Sequence, residues 1–419
     1  MALRVAIHTL GTRGDVQPYI ALALGLIRAG HTVEIAAPEQ FSTMVEATGV
    51  GFAPLPRELL DRIDTPEAKA AIAKSEGFGA GFKLLRQVGP IMQRLFDAEL
   101  TAARAFSPDV LLYHPKAIAA PHVAEAIGCG FALASPLPGF TPAAEFPTPL
   151  LGFSSLGPLN RISHSLMIRS SSLLFGKMLR KWRVETLGLD ARPRFHAWKG
   201  VPTLYGYSPS VVPVPRDWGL DILVSGYWFL EDDADWQPPP PLAEFLAAGP
   251  PPVYVGFGSM PMIDPAATTA TVVAALERVG QRAVLAGGWG GLGAGNLPKS
   301  VLAIDGAPHQ QLFPLMSALV HHGGAGTTGA GLRAGKPTLI VPFFGDQPFW
   351  GRRVSELGAG PPPIPIRQLS VETLAASIRR AADDDGMRRK AELVGQAIQR
   401  EDGVSAAVGF VERIAARGR

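Results

Sequence analysis

HHGGAGTTGAGLRAGKPTLIVPFFGDQPFWGRRV, from His321 to Val354, carries the densest signal in this 419-residue chain. The apolar run Ala318–His321 reads as a strand, five glycines follow closely, and a helical pattern starts around Thr327. Bare glycines let an anion reach the backbone amides, and the positive end of a helix favours it there. His322, Thr327 and Thr328 supply further donors, so the segment suits a diphosphate. A second strand, Thr338–Val341, then delivers Asp346 and Gln347, an acid–amide pair suited to the vicinal hydroxyls of a sugar. Strand, loop, helix and strand in this order form a βαβ unit, so the fold class is α/β with a doubly wound parallel sheet.

A rival fits the same residues. Gly324, Gly326 and Gly329 match GxGxxG after a strand, with Asp346 about 20 residues on, as in an NAD(P)-dependent oxidoreductase. Against it stand the late position in the chain, the two histidines before the glycines, and the Gln-Pro that follows the acid. Alone, the stretch leaves both readings open.

Working outward, short Val/Ile/Leu runs alternate with helical patterns along the whole chain. Strands are expected at Arg4–His8, Thr32–Ala36, Val110–Tyr113 and Gly130–Ala134, then at Val253–Phe257, Arg282–Ala286, Val301–Ile304, Ala318–His321 and Thr338–Val341. The acidic run Glu231–Asp235 and the prolines Pro238–Pro241 and Pro250–Pro252 mark a stiff connection and disfavour a helix through it. The expected organisation is therefore an amino-terminal domain over 1–230, a linker over 231–252 and a carboxy-terminal domain over 253–400. A final amphipathic helix near Val404–Arg417 is placed in a segment, 401–419, that packs back on the first domain.

Composition narrows the function classes. Hydrophobic residues make up 47 %, ample for two cores, and the single cysteine, Cys129, fits a reducing cytoplasm. Residues Met1–Thr9 read as a strand without a cleavage site, and Ala117–Phe140 is too interrupted by His122, Glu125 and prolines to span a membrane. A net charge of +3 is too weak for nucleic acid to be the default partner. One local excess stands out: Arg161, Arg169, Lys177, Arg180, Lys181 and Arg183 share Asn160–Gly200 with only Glu185 and Asp190. It reads either as a solvated helix face or as a peripheral membrane surface.

The first strand runs into GTRGDVQPY, Gly11 to Tyr19, with a helix expected near Pro18. Asp15 falls at the carboxyl end of that strand, where catalytic groups sit in this architecture. It reads either as a general base for an attacking hydroxyl, or as a residue that simply pairs with Arg13 or caps the helix. A free Asp has a pKa of about 3.9, so it can help only as the alcohol proton becomes acidic during C–O bond formation. His114, after Val110–Tyr113, comes from another strand end and is a candidate to share the proton or orient Asp15.

GTRGDVQPY, GFGSM (Gly256–Met260), APHQQLF (Ala307–Phe313), HHGGAGTT and PFFGDQPFWG together resemble the UDP-glycosyltransferases of GT-B fold, sterol glucosyltransferases and their bacterial relatives above all. The resemblance spans most of the chain and implies two Rossmann-like domains facing across a cleft, in a bacterial, cytoplasmic enzyme. It implies Asp15 as general base, and Thr12 and Arg13 near the donor diphosphate. Gly258 and Ser259 then belong to a donor loop, His309 to the nucleoside turn near the ribose, and His322, Gly324, Gly326 and Thr327 to the diphosphate site. Asp346 and Gln347 match the pair that holds the sugar. Where plant enzymes stack a tryptophan on uracil this chain has Gly306-Ala307-Pro308, which leaves Trp289 as the substitute candidate.

The implied reaction is inverting transfer of a hexose, glucose first, from a UDP-sugar to a hydrophobic alcohol. PGFTPAAEFPTP (Pro138–Pro149) departs from the basic stretch of the eukaryotic sterol enzymes, so sterols, phenols, polyketides and lipids all stay open as acceptors. Apolar lining is expected from the first domain: Phe78, Phe82, Leu85, Met92 and Phe96 at helical spacing, and Phe140, Phe146, Phe153 and Met167 beyond. No DxD-type motif falls in the donor loops, Asp383–Asp385 reads as a solvated helix end, and neither a metal nor a cofactor is expected.

Overall fold

The computed structural model describes the chain except residues 59–60, 62–78, 196–199, 232–235, 259, 261–263, 289–291, 294–295 and 418–419, and except the side chains of 79–88 and 171–172. Two parallel sheets organise it. The first holds β1 (Arg4–His8), β2 (Thr32–Pro38), β3 (Gly51–Leu55), β4 (Val110–Tyr113), β5 (Gly130–Ser135), β6 (Thr203–Tyr205) and β7 (Ile222–Val224), in the order β3-β2-β1-β4-β5-β6-β7. The second holds β8 (Val253–Gly256), β9 (Ala283–Ala286), β10 (Val301–Ile304), β11 (Ala318–His321) and β12 (Thr338–Ile340), in the order β10-β9-β8-β11-β12.

Central strands such as VLLY of β4 and AVLA of β9 are buried along their whole length, because helices cover both faces of each sheet. The strand order fixes where ligands go. All pairs are parallel, but the order of strand addition reverses at β1/β4 in one sheet and at β8/β11 in the other, and crevices open at the carboxyl ends of such pairs. Asp15 follows β1 and His114 follows β4; Gly258 follows β8 and His322 follows β11.

The longer helices are α1 (Arg13–Arg28), α2 (Gly79–Phe106), α3 (Ala120–Ile127), α4 (Asn160–Glu185), α5 (Pro240–Ala247), α6 (Pro265–Val279), α7 (Ala325–Arg333), α8 (Gln347–Glu356), α9 (Val371–Asp383), α10 (Asp385–Gln399) and α11 (Gly403–Arg417). The last one crosses back: Ala407, Phe410, Val411 and Ile414 share a core with Val16, Ile20 and Leu26 of α1 and with the first sheet. Each such large side chain contributes about 1.5–3 kcal/mol on burial. A further core joins the two halves, with Tyr205 and Tyr207 packed against Ile340, Phe349 and Trp350. Polar contacts reinforce it, among them Arg353 Nη2 donating to the Val211 carbonyl at 2.7 Å.

Three sequence expectations need correction. Strands β3, β6 and β7 were not expected; β3 contains Pro54, which an edge strand tolerates because one side needs no ladder partner. The proline-rich connection does contain a helix, α5, since its prolines occupy the first turn, where no N–H donor is required. Helix α1 begins at Arg13, ahead of Pro18, because Thr12 and Asp15 form a capping box at its start.

Candidate functional site

Asp15 is the third residue of α1, and its carboxylate turns back toward the chain. Oδ2 accepts from the Thr12 backbone N–H at 2.7 Å and from Lys116 Nζ at 2.8 Å, while Oδ1 lies 3.3 Å from His114 Nε2. Asp15 therefore caps α1, and its charged partner is Lys116 rather than Arg13; its side chain remains 20 % exposed. Gly11 makes room for this. Its φ is +133°, and a Cβ there would fall 2.1 Å from Asp15 Oδ2 and 2.7 Å from Lys116 Nζ.

The proton arrangement follows from the hydrogen bonds. His114 Nδ1 accepts the Lys116 backbone N–H at 3.1 Å, so the neutral ring carries its proton on Nε2 and donates it to Asp15. Burial lowers the His114 pKa, against the pull of Asp15, and keeps the ring neutral near pH 7. Burial alone would raise the Asp15 pKa. The Lys116 ammonium and the His114 hydrogen bond outweigh it and hold the carboxyl well below the usual range. Lys116 was absent from the sequence reading. A lysine just past a strand looks like a solvated charge, and only the β1–β4 adjacency reveals its target.

In the second half, α7 starts at Gly324 without a side-chain cap, and Thr328 N is the first amide bonded back into the helix, to Gly324 O at 2.9 Å. The amides of Ala325, Gly326 and Thr327 are therefore open donors at a positive helix end. A Cβ on Gly326 would meet nothing within 4 Å, so the space before this turn is empty. The His322 ring lies beside it, between Gly258 and Gly324, whose added Cβ atoms would fall 3.2 and 2.7 Å from it. His322 Nδ1 is buried without a hydrogen-bond partner, and burial lowers its pKa to about 4. It is a neutral donor or acceptor aimed at this site.

His309 stacks on Phe313 with ring centroids 4.3 Å apart. Its pKa falls to about 4, first through burial and then through the positive charge of Arg13. Thr12 and Arg13 are both exposed, and Arg13 Nε donates to Gln17 Oε1 at 3.1 Å. Asp346 Oδ2 accepts from Trp350 Nε1 at 2.7 Å. Burial raises its pKa, Trp350 opposes the rise, and the charges of Asp15 and Lys116 act on it from across the cleft. Gln347 Oε1 accepts the Phe343 and Phe344 amides at 2.7 and 3.2 Å, holding the loop that presents Asp346.

Ser259 and Trp289 lie outside the described residues, as does Phe78, and the side chains of Phe82 and Leu85 do too. Met92, expected to line the acceptor site, is a core residue instead, 4 % exposed and packed with Phe96 and Leu55. Helical spacing cannot distinguish a core face from a pocket face. Phe140 lines a cavity of about 190 Å³ with Thr141, Thr203 and Asp221, whose walls include neither Asp15 nor Asp346. Phe146 does approach the site: its ring packs 5.7 Å from Phe349 of α8, next to Asp346 and Gln347. Among the described residues no group of three or more His, Cys, Asp or Glu side chains could hold a metal ion.

Comparisons with known proteins agree with this fold. Residues 5–144 match the Glycosyltransferase family 28 N-terminal domain, and 271–401 match the Erythromycin biosynthesis protein CIII-like, C-terminal domain. The chain is 40 % identical to the sterol 3-beta-glucosyltransferase UGT80B1 of Arabidopsis thaliana, over 98 % of its own length and 68 % of that protein. It is 36 % identical to a sterol 3-beta-glucosyltransferase of Emericella nidulans, over 98 % of its own length but 30 % of the fungal protein. These relatives are from a plant and a fungus and lend no support to a bacterial source.

Among solved structures, the calicheamicin glycosyltransferase CalG4 superposes with a TM-score of 0.73 at 20 % identity, covering 99 % of both chains. The glycosyltransferase SnogD of Streptomyces nogalater gives 0.65 at 22 % identity, covering 99 % of this chain and 100 % of its own. With both sheets, both crevices and this degree of relatedness in place, the chain belongs to the UDP-glycosyltransferases of GT-B fold, in the family that includes the sterol 3-beta-glucosyltransferases.

Proposed function

We propose that the protein transfers a hexose, glucose first, from a UDP-sugar to a hydroxyl of a hydrophobic acceptor with inversion at the anomeric carbon. The observation that carries this is the pair of facing crevices. Asp15, paired with His114 and Lys116, lies at the start of α1, which packs against α7, and Asp346 stands at the start of α8 in the second crevice. Asp15 takes the acceptor proton as the new C–O bond forms, and the bond from the anomeric carbon to the diphosphate breaks on the opposite face. The open amides of Ala325, Gly326 and Thr327, with His322 and the Thr327 hydroxyl, receive the charge that grows on the leaving UDP. Asp346 and Gln347 hold the sugar hydroxyls, and His309 lies toward the ribose. This chemistry calls for no metal and no further cofactor.

Sterols, phenols, polyketides and lipid alcohols are the acceptor classes, with Phe146 of the first domain packed on Phe349 beside the sugar-binding loop. Two curated relatives named sterol 3-beta-glucosyltransferase favour a sterol as the first to try. The test is UDP release from UDP-glucose with each acceptor class, followed by mass spectrometry. A product heavier by one hexose supports the proposal. A folded protein that binds UDP yet releases none with any of these acceptors contradicts it.

A further inference from the structure

We propose that the outer face of α4 is a docking surface for an anionic lipid bilayer. Helix α4 buries one side: Trp182 donates to Asp97 at 2.8 Å, and Arg183 is held by Glu125 and His122, both at 2.8 Å. The opposite side is apolar and, among the described residues, uncovered. Leu159, just before the helix, and then Ile162, Leu166 and Leu173 are 55, 51, 62 and 85 % exposed. Their spacing of three, four and seven residues is that of a single helical stripe. Lys177 and Arg180, both exposed, continue the same stripe. A soluble surface seldom leaves such a run of large aliphatics open, and basic residues in line with them are the composition of a helix lying in a membrane interface.

Charge selects the occupant. Glu185 is the only acidic residue of α4, and while Arg161, Lys181 and Arg183 pair with Asp217, Glu185 and Glu125, the exposed Lys177 and Arg180 leave the stripe with a positive charge. A second copy seated on this face by a two-fold axis would bring like charges together, whereas an anionic headgroup layer complements them. Position agrees with this choice. The adjoining loop, with Phe153 54 % exposed, is pinned by Arg352 of α8, whose guanidinium donates to the Gly152 and Phe153 carbonyls at 2.6 and 2.8 Å. Arg352 lies about 9 Å along the chain axis of α8 from Asp346, given the helical rise. The loop that leads into α4 is therefore tied to the helix that starts at Asp346. No helix among the described residues is long and apolar enough to cross a membrane, so the contact is peripheral.

The test is co-sedimentation of the full chain with phosphatidylcholine vesicles, with and without a minority of phosphatidylglycerol. Binding is expected to need the anionic lipid and to weaken as salt rises. Leu166→Glu with Leu173→Glu should lower the partition by about tenfold or more, since it places charges where apolar side chains enter the interface. Both side chains are exposed, so the thermal midpoint should stay at the wild-type value. Lys177→Glu with Arg180→Glu should remove the preference for phosphatidylglycerol. Failure to bind either vesicle would overturn the proposal, as would equal binding by the leucine variant. So would self-association in sedimentation velocity that the leucine variant abolishes without any vesicle binding. None of these readouts depends on the identity of the acceptor.

Discussion

At Asp15, two requirements meet in one carboxylate. As a cap it fixes the first turn of α1, and as a proposed base it must stay ionised and reachable. Lys116 secures ionisation, at the cost of making the carboxylate a weaker proton acceptor. The proposed base is therefore effective only in concert with bond formation, when the acceptor oxygen sheds its proton. Lys116→Met removes the charge that depresses the Asp15 pKa, which then rises. A carboxylate base is lost as pH falls through its pKa, so the acidic limb of kcat/KM should move to higher pH in this variant. The pH profile from mild acid to neutrality checks it, and an unmoved limb would mean that Lys116 does not set the ionisation of the active base. His114, held neutral by burial, should contribute no limb of its own near neutral pH.

At the scale of an element, the start of α7 shows what was legible in the sequence and what was not. Strand, glycines and helix could be read directly, because glycine spacing after an apolar run has few other uses. The open space at Gly326 and the seating of His322 between Gly258 and Gly324 could not, since both depend on how β8 and β11 lie side by side. Lys116 and the edge strand β3 were missed for a related reason: each is defined by its neighbour in the sheet rather than by its own residues. Gly326→Val makes use of the empty space. Its Cβ would meet nothing within 4 Å, so the thermal midpoint should change little, while affinity for UDP should fall by about tenfold or more, some 1.4 kcal/mol. Calorimetric titration with UDP decides it; unchanged affinity would place the diphosphate elsewhere.

Across the whole molecule, the crossing of α11 back to the first sheet makes the halves interdependent. The expectation of a terminal helix came from its amphipathic pattern, but which core it enters is a tertiary fact. Phe410→Ala removes a ring that is 2 % exposed between α1 and the first sheet, and should destabilise the protein by about 3–5 kcal/mol. Urea unfolding measures this, and a loss under about 1 kcal/mol would mean that the helix is not integral to that core. The same long-range assembly explains why the proximity of Asp15 and Asp346 could be expected only through family resemblance. Nothing local to either loop encodes it.

The most direct test of the central claim is Asp15→Asn, with hexosyl transfer and UDP affinity measured on the same preparation. The amide keeps the size of the side chain, and the donor residues of the second half are untouched. Transfer should fall by about 10²–10⁴-fold while UDP binds as in the wild type. Turnover within a few-fold of wild type would contradict the assignment of Asp15 as the base.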